Sequence, residues 1–288
     1  MKTPKILVGI VTYNRSMLLQ KAIDSVLIQN YVNLEIVVLN NGSTDSTQNI
    51  FEKRCDIQFI NWNEKKSIVD AKNFLMKEFD YDFFIGLDDD AWFLDKYAIQ
   101  NAINFIHTKN EVAILALDIL SPQNNTSLFK KKEPFLSANY IGCGCVIRKS
   151  ALEKVGYYSK MFGYYGVEEE ELSLKILNEN YDIYAVPGIF VWHEMFQSGR
   201  NLKIQWKSQV CNNLSLILKQ YPFVIMILVI PYKIFSIGVF SIKTKQFIPF
   251  FNGVIDFICN SRKIFKVRRP VKVQTIFKFH KWIKTNNV

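Results

Sequence analysis

Residues 6–27 read ILVGIVTYNRSMLLQKAIDSVL. Ile6 to Val11 is a β-branched run bounded by Pro4 and by Thr12-Tyr13-Asn14, and Leu18, Leu19, Ala22, Ile23, Val26 and Leu27 follow at helical spacing. The pattern predicts a strand, a loop and a helix. The alternation recurs: Glu35 to Leu39 precedes Ser46 to Lys53, Ile57 to Ile60 precedes Ile68 to Phe79, and Phe83 to Leu87 precedes Lys96 to His107, with Val112 to Leu117 as a fifth strand. Strands that read as continuous apolar runs between amphipathic helices imply a parallel sheet covered on both faces. The fold class is α/β.

Beyond residue 120 the alternation breaks. Pro122 to Asn125, the basic Lys130-Lys131-Lys132 and the segment Gly142-Cys143-Gly144-Cys145 lead to a short helix from Ser150, so mixed or antiparallel additions to the sheet are expected. Glu168 to Asn180 reads as a helix, and Ile183 to Val191 as one or two strands broken at Pro187-Gly188. From about Lys203, long apolar stretches studded with Lys and Arg take over. We expect a catalytic domain over 1–200, with parts of about 1–120 and 121–200, and a helical region over 201–288.

Of the 288 residues, 49% are apolar and 22% charged, which excludes a disordered chain. The net charge of +10 is unevenly spread. From Arg200 onward there are 16 basic residues and one acid, Asp256, net +15; the preceding 20 basic and 25 acidic residues give −5. Such asymmetry suggests two regions with different partners. Five Cys, an odd number without metal-type spacing, argue against a disulfide framework and fit a reducing compartment. The Gly142 to Cys145 thiols read as reduced and packed. Ile6 to Val11 is too short for a signal peptide, so cytoplasmic residence is expected.

In a doubly wound sheet, ligands bind outside the carboxyl ends of the strands. Three polar clusters fall there: Thr12-Tyr13-Asn14-Arg15, Asn40-Asn41-Gly42-Ser43-Thr44-Asp45 and Asp88-Asp89-Asp90. Each alone could be a turn or a solvated loop, and it is their convergence on one edge that points to a site. A rigid strand end presenting two carboxylates suits Mg²⁺ or Mn²⁺, which are commonly held by one or two carboxylates plus substrate phosphates. The chain lacks G-x-G-x-x-G and G-x-x-x-x-G-K-S/T, which argues against a dinucleotide dehydrogenase or a P-loop enzyme.

Val11 to Arg15, Leu39 to Thr47 and Leu87 to Asp90 together resemble the successive motifs of family 2 glycosyltransferases of the GT-A fold, and the likeness covers roughly residues 5–195. The resemblance implies that Thr12, Tyr13, Asn14, Arg15, Asn40, Asn41, Asp45, Asp88 and Asp89 contact a nucleotide sugar, that Asp88 and Asp90 bind Mn²⁺ or Mg²⁺, and that His193 completes the metal site. It implies a GT-A sheet flanked by helices. Asn40-Asn41 stands where the family often has Asp-Asp, which leaves uridine and thymidine donors both open. Asp70-Ala71-Lys72-Asn73 is similar to the family's Ala-Arg-Asn segment, making Lys72 a cation for the diphosphate or, on the plainer reading, an exposed helix lysine.

Gly163 to Val167 precedes four consecutive glutamates, Glu168 to Glu171, which open a helix. The helix dipole alone favours acids there, but the run also resembles the family's acidic pair. In that alignment Glu169 is the catalytic base, with Glu168 as the alternative because four equal residues leave the register open by one. A sugar hydroxyl needs such a carboxylate to take its proton. His107 and His280 read as structural or surface groups, and His193 follows the apolar run Ile189 to Trp192.

Tyr221 to Ile242 carries one charge, Lys233. Its length nearly suffices to span a membrane, but Pro222, Pro231, Lys233 and the basic segment beyond it favour in-plane or re-entrant association with anionic lipid. A packed helical extension or dimer surface is the alternative, and the basic tail gives no specific sign of nucleic acid. The expected function is an inverting glycosyltransferase moving sugar from UDP or dTDP to a carbohydrate, lipid-linked acceptor in bacterial polysaccharide synthesis, peripheral on the inner face of the plasma membrane. A non-catalytic nucleotide-sugar or nucleic-acid binder is the rival, and it has no need of Glu169.

Overall fold

The structure, a computed structural model, describes residues 3–51, 54, 56–162, 166–195 and 201–286. Gly163-Tyr164-Tyr165, which the sequence places before the acidic helix, and the expected boundary near residue 200 lie outside the described residues. The first half follows the predicted alternation: β1 (Ile6–Thr12), α1 (Ser16–Leu27), β2 (Leu34–Asn41), α2 (Thr47–Phe51), β3 (Gln58–Trp62), α3 (Ile68–Glu78), β4 (Phe83–Asp88), β5 (Ala91–Phe93), α4 (Ala98–His107) and β6 (Val112–Leu120). The remainder comprises β7 (Phe135–Ser137), β8 (Cys145–Arg148), α5 (Lys149–Val155), α6 (Glu168–Asn178), β9 (Asp182–His193) and the helices α7 (Leu202–Gln220), α8 (Phe223–Lys243), α9 (Phe247–Lys266) and α10 (Val273–Asn286).

The strands form one sheet in the order β3-β2-β1-β4-β8-β6-β9-β5, with β7 also on β9. The pairings of β1, β2, β3 and β4 are parallel, as is β6 with β9, whereas β8, β5 and β7 run against their neighbours. The sheet is thus mostly parallel, with the antiparallel additions expected beyond residue 120. Two additions, β5 and β7, are three residues long and were not foreseen, because so short a run carries no period. Pro187-Gly188 does not divide β9. It creates an irregularity at which the register against β6 moves from Leu117↔Val186 to Asp118↔Phe190.

Alternation along the strands supplies two cores. In β1, Leu7 faces one apolar cluster while Ile6, Val8 and Ile10 face the other. The first cluster lies under α3, α5 and α6 and runs on into Leu214, Phe257 and Phe279 of the C-terminal helices; the second lies under α1 and α4. The sheet is therefore covered on both faces, as its all-apolar strands require. Residues α7 to α10 are not a loose appendage. Lys219 on α7 donates to Glu171 on α6 at 2.6 Å, Lys278 on α10 pairs with Asp182 at the start of β9 at 3.1 Å, and the Lys272 N–H donates to Asn178 Oδ1 at 2.8 Å. At Gly253 of α9, a side-chain methyl would stand 2.7 Å from Lys207 O and from Val210 Cβ, so the backbones of α7 and α9 meet at a position only glycine permits.

Candidate active site

The carboxyl ends of β1, β2 and β4 converge, and the three polar loops meet there. Thr12 Oγ1 donates to Asp89 Oδ2 at 2.9 Å. The Arg15 guanidinium reaches Asp89 Oδ1 at 2.8 Å and Asp90 Oδ2 at 3.0 Å. Asn14, at φ +54°, accepts from the Thr44 N–H at 2.8 Å, and its own N–H donates to Ser43 Oγ at 2.9 Å. The first loop is thereby tied to both of the others. Tyr13 remains at the surface with the Lys65 ammonium 3.6 Å above its ring.

Several of the expected nucleotide contacts have other duties in this arrangement. Asn40 Nδ2 donates to Asn61 Oδ1 at 2.7 Å, and Asn40 Oδ1 accepts from the Ser43 N–H at 3.0 Å. Asn41 makes a two-point pair with the Lys66 backbone, at 3.0 and 2.8 Å. Asp45 caps α2 by accepting from the Thr47 N–H at 3.0 Å. Asp89 is buried among Thr12, Tyr13 and Arg15. These side chains brace the loops, because buried amides and carboxylates need partners and find them between adjacent loops. Burial pushes Asp89 up to about 6, against the pull of Arg15 and with Asp90 adding to the rise.

The carboxylates of Asp88 and Asp90 meet His193. After the turn at Asp89-Asp90 the chain returns as β5, which pairs antiparallel with the end of β9 so that Ala91 stands opposite His193. The Glu194 N–H donates to Asp90 O at 2.9 Å and fixes the same register. His193 Nε2 is 3.3 Å from Asp90 Oδ1 and 3.8 Å from Asp88 Oδ2. Donors on one six-coordinate ion, bonded at about 2.1 Å, stand roughly 3 Å apart, so the imidazole is near the spacing needed to share an ion with either carboxylate. A sulfur that sequence reasoning had assigned only to packing is close by. Ligand atoms of Asp88, Cys143 and His193 lie within 4.8 Å of one another. The signal that could have found it is register rather than composition: Gly86 stands opposite Cys145 across the antiparallel β4–β8 pair, which carries Cys143 past Asp88.

Lys72 is not an exposed helix lysine. Ser67 caps α3 by accepting from the Asp70 N–H at 3.0 Å while donating to Asp70 Oδ2 at 2.7 Å, and this sets Lys72 toward the sheet edge, 3.5 Å from Asp88 Oδ1. Burial opposes its charge, but Asp88 and then Glu169 hold the ammonium well above its usual pKa. A methyl on Gly142 would stand 2.5 Å from Glu169 Oε1 and 3.0 Å from Lys72 Nζ, so both side chains crowd that glycine. Lys72 thus lies between the carboxylate–imidazole cluster and Glu169.

The four glutamates of α6 diverge as a helix requires. Glu171 is buried, paired with Lys219 and accepting from the Ser159 N–H at 3.2 Å. Burial raises the pKa of Glu170, with Lys233 of α8 opposing. Glu169 faces Lys72 and Gly142. Desolvation first, and then the charge of Glu168, push Glu169 up to about 7 against the pull of Lys72. The turn into this helix is strained: Val167 adopts φ +76°, a left-handed conformation that costs a β-branched residue on the order of 1–3 kcal/mol. Of the other histidines, His280 Nε2 is 3.1 Å from Tyr221 Oη and His107 packs on Phe83, as expected for structural groups. The clefts of about 490 and 560 Å³ lie at the opposite, amino edge, lined by residues such as Leu34 and Gln58 or Pro4 and Arg148.

The family model described as "Glycosyl transferase family 2" matches residues 7–156. The chain belongs to glycosyl transferase family 2. Among curated members, the poly-beta-1,6-N-acetyl-D-glucosamine synthase of Staphylococcus epidermidis is 26% identical over 200 residues, 62% of this chain and 47% of that protein. This family 2 chain also superposes on S. aureus TarS 1–349 in complex with UDP-GlcNAc, with a TM-score of 0.67 at 17% identity, covering 98% of this chain and 90% of that one. The mannosyltransferase PcManGT from Pyrobaculum calidifontis, in complex with GDP-Man and Mn²⁺, gives a TM-score of 0.62 at 13% identity over 100% and 85% of the two chains. The GT-A fold expected from the sequence is the fold found, and the family makes this glycosyltransferase an enzyme of sugar transfer.

Glu169 supplies a test that reads stability rather than turnover. A carboxyl whose folded pKa lies above its unfolded value favours the protonated fold, so the fold loses stability as pH rises from about 4.5 through about 7. Glu169→Gln removes that penalty. The variant should melt at the same temperature as the parent at pH 4 and at a higher one at pH 8, measured by calorimetry. Equal melting temperatures at pH 8 would mean that the carboxylate is better solvated than its surroundings indicate.

Proposed function

We propose that this family 2 enzyme is an inverting glycosyltransferase that moves a sugar from UDP or dTDP to a carbohydrate acceptor, lipid-linked, in bacterial surface-polysaccharide synthesis. The observation that carries the proposal is the meeting of Asp88, Asp90 and His193 beside the Lys72–Glu169 pair at the carboxyl edge of the sheet. Mn²⁺ or Mg²⁺ held by Asp88, Asp90 and His193 would neutralise charge on the departing nucleoside diphosphate. The imidazole inclines the site toward Mn²⁺. PcManGT and TarS, bound respectively to GDP-Man with Mn²⁺ and to UDP-GlcNAc, support a nucleotide-sugar donor, and the glucosamine-polymer synthase supports a polysaccharide product.

In this reading Tyr13 and the loop braced by Asn14, Asn40, Asn41 and Asp45 receive the nucleotide, Thr12, Arg15 and Asp89 hold the loops in place, and Lys72 adds positive charge near the diphosphate. Glu169 takes the proton of the acceptor hydroxyl. A pKa near 7 suits the task, since the group is ionised at working pH yet basic enough to accept a proton. Inversion is the outcome expected of a mechanism that uses Glu169 as its one base carboxylate. Glu171 is engaged by Lys219, and Glu168 is the alternative to Glu169.

The C-terminal helices supply a second element. Among the described residues α8 is the one helix long and apolar enough to cross a membrane, with a mean hydropathy of 2.3 and 6% of that stretch buried. Its Leu228 and Phe235 are 70% and 71% exposed, and Ile248 of α9 is 74% exposed. An exposed apolar surface of this extent beside a basic tail fits a monotopic seat on anionic lipid. The enzyme would then work at the inner face of the bacterial plasma membrane, next to a lipid-linked acceptor. The domain division at about residue 200 belongs to this proposal.

Two experiments test it. In calorimetric titrations with UDP- and dTDP-sugars, Asp90→Ala should lose Mn²⁺-dependent donor binding, and Glu169→Gln should keep it while turnover falls by roughly two orders of magnitude or more. Unchanged donor affinity in Asp90→Ala would sink the metal-site assignment, and a greater kinetic loss in Glu168→Gln would move the base by one residue. On vesicles containing anionic lipid, the full chain should sediment even at high salt, and Leu228→Asp/Phe235→Asp should be released. Complete release of the parent chain by salt would leave a purely electrostatic attachment.

A further inference from the structure

The Cys143 thiol has no part in the reading above, yet its position is set by the pairing that sets the carboxylates. The Gly144 N–H donates to Gly86 O at 2.8 Å, and Gly144, at φ +76°, turns the flanking thiols to opposite faces of the sheet. Cys145 joins the cluster under α3 and α6, and Cys143 the cluster that also holds Leu87 and Ala91. Cys143 is 1% exposed and forms no disulfide. Donors bonded tetrahedrally to one zinc ion at about 2.0–2.3 Å stand roughly 3.3–3.8 Å apart. The separations of up to 4.8 Å among Asp88, Cys143 and His193 close to that range by small side-chain rotations.

We propose that Cys143 is a protein ligand of the metal site, forming with Asp88 and His193 a mixed oxygen, nitrogen and sulfur set that binds zinc-class cations more tightly than the Mn²⁺ or Mg²⁺ of turnover. The inference rests on the reading of Asp88, Asp90 and His193 as a metal site. Imidazole and thiolate favour Zn²⁺ and Co²⁺, whereas carboxylates alone suit harder ions. A coordinated dication displaces the thiol proton, which leaves to solvent.

The test uses the full chain with Cys55, Cys211 and Cys259 replaced by Ser, titrated with Co²⁺ under reducing conditions. A thiolate-to-cobalt charge-transfer band in the near ultraviolet should form, persist in Cys145→Ala and vanish in Cys143→Ser. Zinc affinity, read by competition, should fall in Cys143→Ser by at least the roughly 10–100-fold that losing a partner of a metal ligand costs. X-ray absorption on the zinc-bound Cys145→Ala chain should show sulfur at about 2.3 Å, a measurement that does not depend on the Cys143→Ser chain folding. A shell of oxygen and nitrogen only, or a band surviving Cys143→Ser, overturns the proposal. Mn²⁺-dependent binding of a UDP-sugar, measured on the Cys143-bearing chain, separates the two levels. If it is retained while sulfur is absent from the zinc shell, only the thiol assignment fails; if it too is absent, the reading of the metal site fails.

Discussion

Strand β4 ends at Asp88 with β1 running alongside it and β8 running against it, and the chemistry of the sheet edge depends on that mixed pairing. A parallel neighbour delivers a loop and a helix to the same edge, which is how Thr12 to Arg15 come to face the carboxylates. An antiparallel neighbour delivers residues from its own beginning, which is how Gly142 and Cys143 reach Asp88. The pairing of β5 with β9 then brings the end of β9, and His193 with it, to Asp90. A one-residue slip in either antiparallel register would turn these side chains to the opposite face. The backbone hydrogen bonds from Gly144 and Glu194 therefore hold the site as much as any side chain does.

Such crowding of acids has an electrostatic cost. Asp89 and Asp90 are almost wholly buried, and like charges at this spacing raise one another's pKa unless a cation intervenes. Arg15 supplies that cation on one side and Lys72 on the other, through Asp88. A guanidinium is suited to the first position because it presents several donors in a fixed plane and can serve two carboxylates at once. The residual negative charge falls on Asp88 and Asp90, on the side that faces His193, where a divalent ion would offset what the protein does not.

The strands that the sequence foretold most plainly are those with long apolar runs, β1, β2, β4 and β6, because burial on both faces leaves an unmistakable pattern. The three-residue β5 and β7 carry no such pattern. They exist only because a neighbouring strand is present to pair with, and that is a tertiary fact. At the site, the residue types and the loops that hold them were legible. What was not legible is the division of labour within each cluster. Asn40, Asn41 and Asp89 are nucleotide-contact candidates in the sequence, and in the fold they also pair with Asn61, the Lys66 backbone and Arg15. Cys143 was hidden for the same reason, since its neighbours come from a register that no local motif encodes.

The acidic helix joins this site to the rest of the chain. Successive residues of a helix point about 100° apart, so four glutamates in a row cannot share one environment. Glu169 turns to Lys72 and Gly142, Glu170 to the field of Lys233 on α8, and Glu171 to Lys219 on α7. The same turn of helix therefore presents the candidate base to the sheet edge and is clamped from behind by the helices with the exposed apolar faces. The buried Glu171–Lys219 ion pair, at 2.6 Å, ties α6 to α7, so α6 cannot easily shift without α7. Whatever seats α8 and α9 also fixes the height and tilt of Glu169, and an acceptor confined to the same surface would meet the base at a constant distance from it.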